Sequence, residues 1–137
     1  ETVAAILAAA PWVWERDCLL LLQPMTRAEE LRRFLMEHHY AISREALVLD
    51  RGTLYPVMEA GAGEMSLTPG QLLGGARLRD DPLGDRYLIE KIIRLLGAAA
   101  GLNRSADPAG KDRAEVLRQE IAALMEMREE WRHANCP

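Results

Sequence analysis

The run Leu19-Leu20-Leu21-Leu22 halts abruptly at Gln23-Pro24. Four consecutive apolar side chains between Asp17-Cys18 and a proline suit a strand buried on both faces, because a half-buried strand would alternate apolar and polar positions. Strands of that kind belong to parallel sheets covered by helices. A helix signal follows at once: Thr26 offers an N-cap with Glu29 three residues on, and Leu31, Phe34 and Leu35 form an apolar stripe over Arg32, Arg33 and Glu37. The spacing predicts a helix over about residues 27 to 38. Upstream, residues 2 to 10 are small and aliphatic and predict a helix that Pro11 ends.

From Tyr40 the period changes. Tyr40, Ile42, Ala46 and Val48 stand against Ser43, Arg44 and Glu45, which predicts a strand with those apolar residues on one face. Asp50-Arg51-Gly52 is a turn, and Thr53 to Met58 a second strand, so the pair is a hairpin. Pro56 has no N–H for a ladder and belongs at a bulge or an unpaired position. Residues 61 to 84 hold six glycines and two prolines and are read as an irregular linker. Leu88, Ile92, Leu95, Ala99 and Leu102 share one helical face. After Asp107-Pro108, an N-cap and first-turn pair, Leu117, Ile121, Leu124 and Trp131 make a second stripe. Two helices joined by the short turn at 103 to 107 pack antiparallel.

A formal charge of −4 argues against a dedicated basic nucleic-acid module. None of the apolar runs approaches the roughly 20 residues of a membrane span. The two cysteines, Cys18 and Cys136, have no CxxC partner and are expected as reduced thiols in a cytoplasmic protein. Adjacent His38 and His39 point apart on any regular element and cannot share a metal, so no metal is expected.

Leu20-Leu21-Leu22-Gln23-Pro24 followed by Glu29-Glu30-Leu31-Arg32-Arg33-Phe34-Leu35 resembles the bacterial tRNA (adenine22-N1)-methyltransferase family, whose LQP segment leads into such a helix. Tyr40-Ala41-Ile42, Tyr55 and Met58-Glu59-Ala60-Gly61 occupy matching positions. Two places depart from the family pattern: Pro56 replaces an acidic residue, and Leu73-Gly74-Gly75-Ala76 replaces an Arg-Phe-Gly-Pro segment. The resemblance implies an α/β fold, namely the C-terminal half of a Rossmann-like class I methyltransferase sheet. A parallel strand plus an antiparallel hairpin fill residues 1 to 64, a linker 65 to 84, and an antiparallel, coiled-coil-like two-helix hairpin 85 to 133. It also implies S-adenosyl-L-methionine (SAM) as methyl donor, tRNA as substrate, and transfer to N1 of adenine 22. The glycine-rich SAM loop and the Gly-Met-Gly-Gly strand end are expected upstream of Glu1, so residues 1 to 137 alone are expected inactive.

Ring nitrogen N1 carries a free lone pair at neutral pH, so the reaction depends on positioning more than on a general base. The absence of a His or Cys catalytic constellation is compatible with that. In an open parallel sheet the ligand crevice lies beyond the carboxyl ends of the strands. Gln23, Pro24 and Met25 stand there, with Arg27, Arg51 and Tyr55 close to the same edge, as substrate-binding candidates. Gln23 suits an adenine edge, and Arg27 or Arg51 a phosphate. For Gln23-Pro24 the plainer reading is a polar strand stop, and for Tyr55 a ring packed in the core. Arg86, Lys91, Arg94, Arg104 and Lys111 are placed to track an RNA backbone, although Glu115, Glu120, Glu126, Glu129 and Glu130 make a solvated face the simpler account. Self-association through the helical hairpin, or through an exposed sheet edge, is the alternative: a protein-interaction module without catalysis. The whole reading stands on Leu19 to Leu22 being an interior strand whose neighbours toward the amino terminus are missing, and the methyl-transfer reading falls if those residues form a helix or lie at the rim of an all-antiparallel layer.

Overall fold

A computed structural model describes residues 2 to 104 and 106 to 136. Glu1 and Ser105, the latter inside the turn expected at 103 to 107, lie outside the described residues. The chain runs α1 (Val3–Ala8), α2 (Trp12–Glu15), β1 (Leu20–Leu22), α3 (Ala28–Glu37), β2 (Tyr40–Asp50), β3 (Thr53–Ala62), α4 (Pro69–Gly74), α5 (Gly84–Asn103), α6 (Pro108–Asn135). Thr2 caps α1, its hydroxyl accepting from the Ala5 N–H at 3.2 Å, and the chain leaves the helix just before Pro11.

The three strands lie in the order β1-β3-β2, with both pairings antiparallel. This corrects the burial expected on both faces: among the described residues β1 lies at the rim of an all-antiparallel layer, and Leu19 and Leu21 are 71% and 76% exposed. The place of β3 differs as well. Instead of extending the sheet outward as the far arm of a hairpin, it inserts between β1 and β2. Those two strands still run parallel to each other, each antiparallel to the strand that separates them. Helix α3 crosses from one to the other on one face, where Leu31 and Leu35 meet Ile42, Met58 and Ala60. Tyr40 is buried in the same cluster and donates its hydroxyl to the Val13 carbonyl at 2.7 Å, which ties α2 to the sheet.

The hairpin turns on two residues. Arg51 and Gly52 both have positive φ, 48° and 81°, the mirror-image geometry that matches strand twist and that glycine adopts without strain. Pro56 lies opposite Leu47, whose N–H points away from β3 to the Asp81 carboxylate at 2.8 Å. In an antiparallel pair both N–H groups then point outward, so Pro56 faces the side where β1, which pairs only with Met58 to Ala60, does not reach. The unpaired position expected of it is the one it holds.

A bulge between Ile42 and Arg44 inverts the expected facing of the rest of β2. Ser43 is the extra residue. Beyond it Glu45 and Leu47 turn toward the helices, while Ala46 and Val48, expected inside, face out. A one-residue slip moves every following side chain to the other face. The buried Glu45 in turn explains Arg32, which sequence spacing placed on the polar side of α3 and which is fully buried. Arg32 Nε donates to Glu45 Oε1 at 3.1 Å, its Nη2 to the same oxygen, and its Nη1 to the Leu72 carbonyl at 2.8 Å. Glu45 Oε2 also accepts from the Ala76 N–H at 2.7 Å. Burial by itself would lower the Arg32 guanidinium. The Glu45 carboxylate and Tyr87 more than offset it and hold it above its ordinary value.

Two further expectations change. The Thr26–Glu29 capping box does not form: Arg27 is the N-cap, in a left-handed conformation at φ 55° without a side-chain cap bond, so the helix begins one residue later. The linker is not irregular throughout. Thr68 and Gln71 form a capping box at the start of α4, with Pro69 at its first position. Helix α4 then packs on α5 and α6 at near-backbone contact. A Cβ on Gly74 would stand 2.8 Å from Leu88 and 2.9 Å from Leu124. Helices α5 and α6 pack antiparallel: Arg128 near the end of α6 pairs with Asp85 at the start of α5 at 2.7 Å. Asp107 caps α6, accepting from the Ala109 N–H. The predicted stripes meet, with Leu88, Ile92, Ile121 and Leu124 buried between the helices and Leu73 of α4 against them.

Candidate functional site

Beyond the carboxyl end of β1 the structure has a cavity of about 280 Å³. Most of its wall comes from three segments, the β1–α3 connection from Pro24 to Glu29, the start of β3 from Thr53 to Pro56, and the α5 residues Tyr87, Glu90, Lys91, Arg94 and Leu95, with Leu73 of α4 and Leu124 of α6 completing the lining. Its position follows from the topology, because β1 ends and β3 begins at the same end of the sheet. The hairpin turn is held to α5 by Arg86, which donates to the Gly52 carbonyl at 3.1 Å and pairs with Glu90 at 2.8 Å.

Of the six residues singled out from the sequence, four line this cavity: Pro24, Met25, Arg27 and Tyr55. Pro24 is buried, Met25 is 65% exposed, and Tyr55 is half-buried. Arg27 forms an exposed contact with Glu30 at 3.4 Å, worth little in water. The other two are not in the lining. Gln23 is exposed, its amide 3.5 Å from the Met25 sulfur, and Arg51 sits exposed at the tip of the turn.

The wall contributed by α5 was missed as a site, although Lys91 and Arg94 had been noted as cations. Tyr87, Lys91 and Arg94 recur at spacings of four and three, which puts them on one helical face. That spacing was the available signal. What it lacked was the element opposite, which only the tertiary fold supplies. Lys91 Nζ stands 5.0 Å from the centroid of the Tyr87 ring. Among the described residues Lys91 and Arg94 form no ion pair, and the Tyr55 hydroxyl has no hydrogen-bond partner.

A larger hollow, about 680 Å³, opens between α4 and α6. It holds none of the six residues, and its lining sets Arg77 and Arg79 against Asp80, Glu126 and Glu130, one negative charge in excess, so size does not decide in its favour for an anion. Among the described residues no cluster of His, Cys, Asp or Glu is arranged to hold a metal ion, and no helix is long and apolar enough to cross a membrane.

SAM needs backbone brought close to its adenosine and methionine portions, usually by glycines after a strand, with an acidic side chain for the ribose. The connection from β1 to α3, Gln23 to Arg27, has neither. These residues do not fit the cofactor.

Residues 1 to 58 match the family model described as a methyltransferase domain. The sequence has no match among the curated proteins. Solved structures are similar over nearly the whole chain. Sp1610 of Streptococcus pneumoniae, a candidate tRNA (m1A22) methyltransferase, is 23% identical with a TM-score of 0.75, covering 92% of this chain and 56% of that one. The same protein was crystallised with SAM, at a TM-score of 0.73. The B. subtilis m1A22 tRNA methyltransferase TrmK is 21% identical with a TM-score of 0.78, covering 92% and 58%. M. capricolum TrmK, in complex with S-adenosyl-homocysteine, is 16% identical with a TM-score of 0.59, covering 88% and 57%. The chain thus spans a little over half the length of each. The rim position of β1 leaves the resemblance in fold standing, because 88 to 92% of the chain matches these structures at TM-scores of 0.59 to 0.78. The chain has the Rossmann-like fold of the tRNA m1A22 methyltransferase structures over that part, and the family resemblance drawn from Gln23-Pro24 and the helix after it is the one the solved structures return.

Proposed function

We propose that this chain is the C-terminal part of a SAM-dependent tRNA methyltransferase that acts on N1 of adenine 22, in the cytoplasm, and that it is inactive without the part that holds SAM. The observation that carries this is the paired coverage: 92% of this chain matches 54% of a structure bound to SAM. In this reading the exposed edge of β1, with Leu19 and Leu21 uncovered, takes the neighbouring strand of the cofactor-binding half. That half supplies the methyl donor. The residues described above bind and orient the RNA: the cavity cations meet phosphate, Tyr55 and Pro24 offer apolar surface, and α5 and α6, packed as a coiled-coil-like pair, brace the far wall.

Isothermal titration checks it. The 137-residue chain should take up SAM weakly or not at all, whereas the chain joined to its cofactor-binding half should bind SAM and methylate tRNA transcripts at adenine 22. Tight SAM uptake by residues 1 to 137 alone, or a joined protein that leaves tRNA unmodified, would overturn the reading. The second reading, an interaction module, has one observation in its favour: Ile93, Leu96 and Met125 on the hairpin are each more than half exposed.

A further inference from the structure

Among the described residues two cations without an ion pair, one of them Lys91 over the Tyr87 ring, and a phenol without a hydrogen-bond partner meet at one cavity. Lys91 and Arg94 come from α5, Tyr55 from β3, and Pro24 and Met25 from the loop after β1. Burial does not account for their position, since Arg94 and Met25 are exposed and Tyr55 is half-buried. Packing accounts for Lys91 in part, since its ammonium stands 5.0 Å from the centroid of the Tyr87 ring of the small core cluster, but not for Arg94 or the Tyr55 hydroxyl. Glu90, the acid nearest Lys91 in sequence, is taken up by Arg86. Glu29 is the remaining acid in the lining without an ion pair, so the unpaired charge at the cavity is one positive in excess.

The shape narrows the ligand. About 280 Å³ is just below the usual range for small-molecule sites, roughly 300 to 1,000 Å³, and admits one nucleotide-sized group rather than an extended strand. The chemistry narrows it further. Arg and Lys side by side suit a phosphate, while a tyrosine ring beside a proline and a methionine suits the flat face of a base.

We infer that the cavity holds a single RNA nucleotide, its phosphate on Lys91 and Arg94 and its base against Tyr55, so that α5 of the helical hairpin forms one wall of a nucleotide site. This deepens the tRNA reading and rests on it for the choice of RNA. The nucleotide lies close to the methylated adenine, because the cavity opens beyond the carboxyl end of β1, the strand whose free edge would take the cofactor-binding half.

The probe is AMP, titrated into the isotopically labelled 137-residue chain and followed by NMR. Shifts of the Tyr55 ring together with the Lys91 and Arg94 head groups are expected, with inorganic phosphate moving the cations alone. The double variant Lys91→Ala/Arg94→Ala should bind AMP at least tenfold more weakly, Tyr55→Leu severalfold, and Arg118→Ala on α6 no differently from the parent. With a tRNA transcript, the double variant should lower the slope of log affinity against log salt by about 1, as for one lost phosphate contact. AMP that leaves Tyr55 unmoved, or that binds the double variant as well as the parent, overturns the inference even if tRNA binds. AMP bound at the cavity, with tRNA left unmodified by the chain joined to its cofactor-binding half, keeps the nucleotide site and overturns the proposed function.

Discussion

Arg32 is the residue whose role the fold decides most completely. Its guanidinium is buried, and its bonds reach β2 through Glu45 and the carboxyl end of α4 through Leu72. Removing one member of a buried pair leaves the other charged and unmatched, which costs about 3 to 5 kcal/mol. Arg32→Ala is therefore expected to lower the unfolding free energy by about that amount in urea titrations. The paired change Arg32→Met/Glu45→Leu should lose less, since it strands no charge. It should not recover everything, because the Ala76 and Arg77 N–H groups would lose their acceptor. Equal losses from the single and paired variants would show that the charges themselves do not matter. A spacing argument on α3 had put Arg32 with the solvated residues, and it failed for a reason on another strand, the bulge at Ser43.

At the scale of elements, α4 is the piece that joins sheet to hairpin. Its capping box, Thr68 with Gln71, was present in the sequence, but the surrounding glycines read as a loop. Those glycines are there for contact. Overpacking a tight interface costs typically about 1 to 3 kcal/mol, so Gly74→Ala should destabilise the chain by that order, although alanine is the better helix former. Thermal unfolding measures it, and a stabilised variant would mean that α4 does not dock on Leu88 and Leu124 as described. The strand β1 was located correctly and its neighbours incorrectly. An apolar run reports burial it is built for, not which strand lies beside it, and the insertion of β3 is a pairing between residues nearly forty positions apart.

For the whole molecule, the helical hairpin has two faces with different fates. Leu117 and Ile121 are buried within the seam, so altering them would unfold the pair rather than report on association. Ile93 and Met125 lie outside it. If the hairpin pairs with a second copy, Ile93→Asp/Met125→Asp should convert a dimer into a monomer in sedimentation with little change in helix content. A parent chain that sediments as a monomer at high concentration would remove the interaction-module reading and leave the enzyme reading untouched. The candidate site is likewise a property of the whole: four of its residues were named from the edge of one sheet, and the opposing wall arrives from a helix more than thirty residues later.

Local chemistry was enough to set α1, α3, α5 and α6, the strands and the two-residue turn, because caps, prolines and apolar period act over a few residues. It was also enough for the family resemblance, carried by one short strand end and the helix behind it. The order β1-β3-β2, the bulge that buries Glu45, the α4 contact and the meeting of Tyr55 with Lys91 and Arg94 all depend on segments far apart in the chain. Their free energies come from surfaces that exist only once the chain has closed on itself, and no window of sequence contains both sides of such a contact.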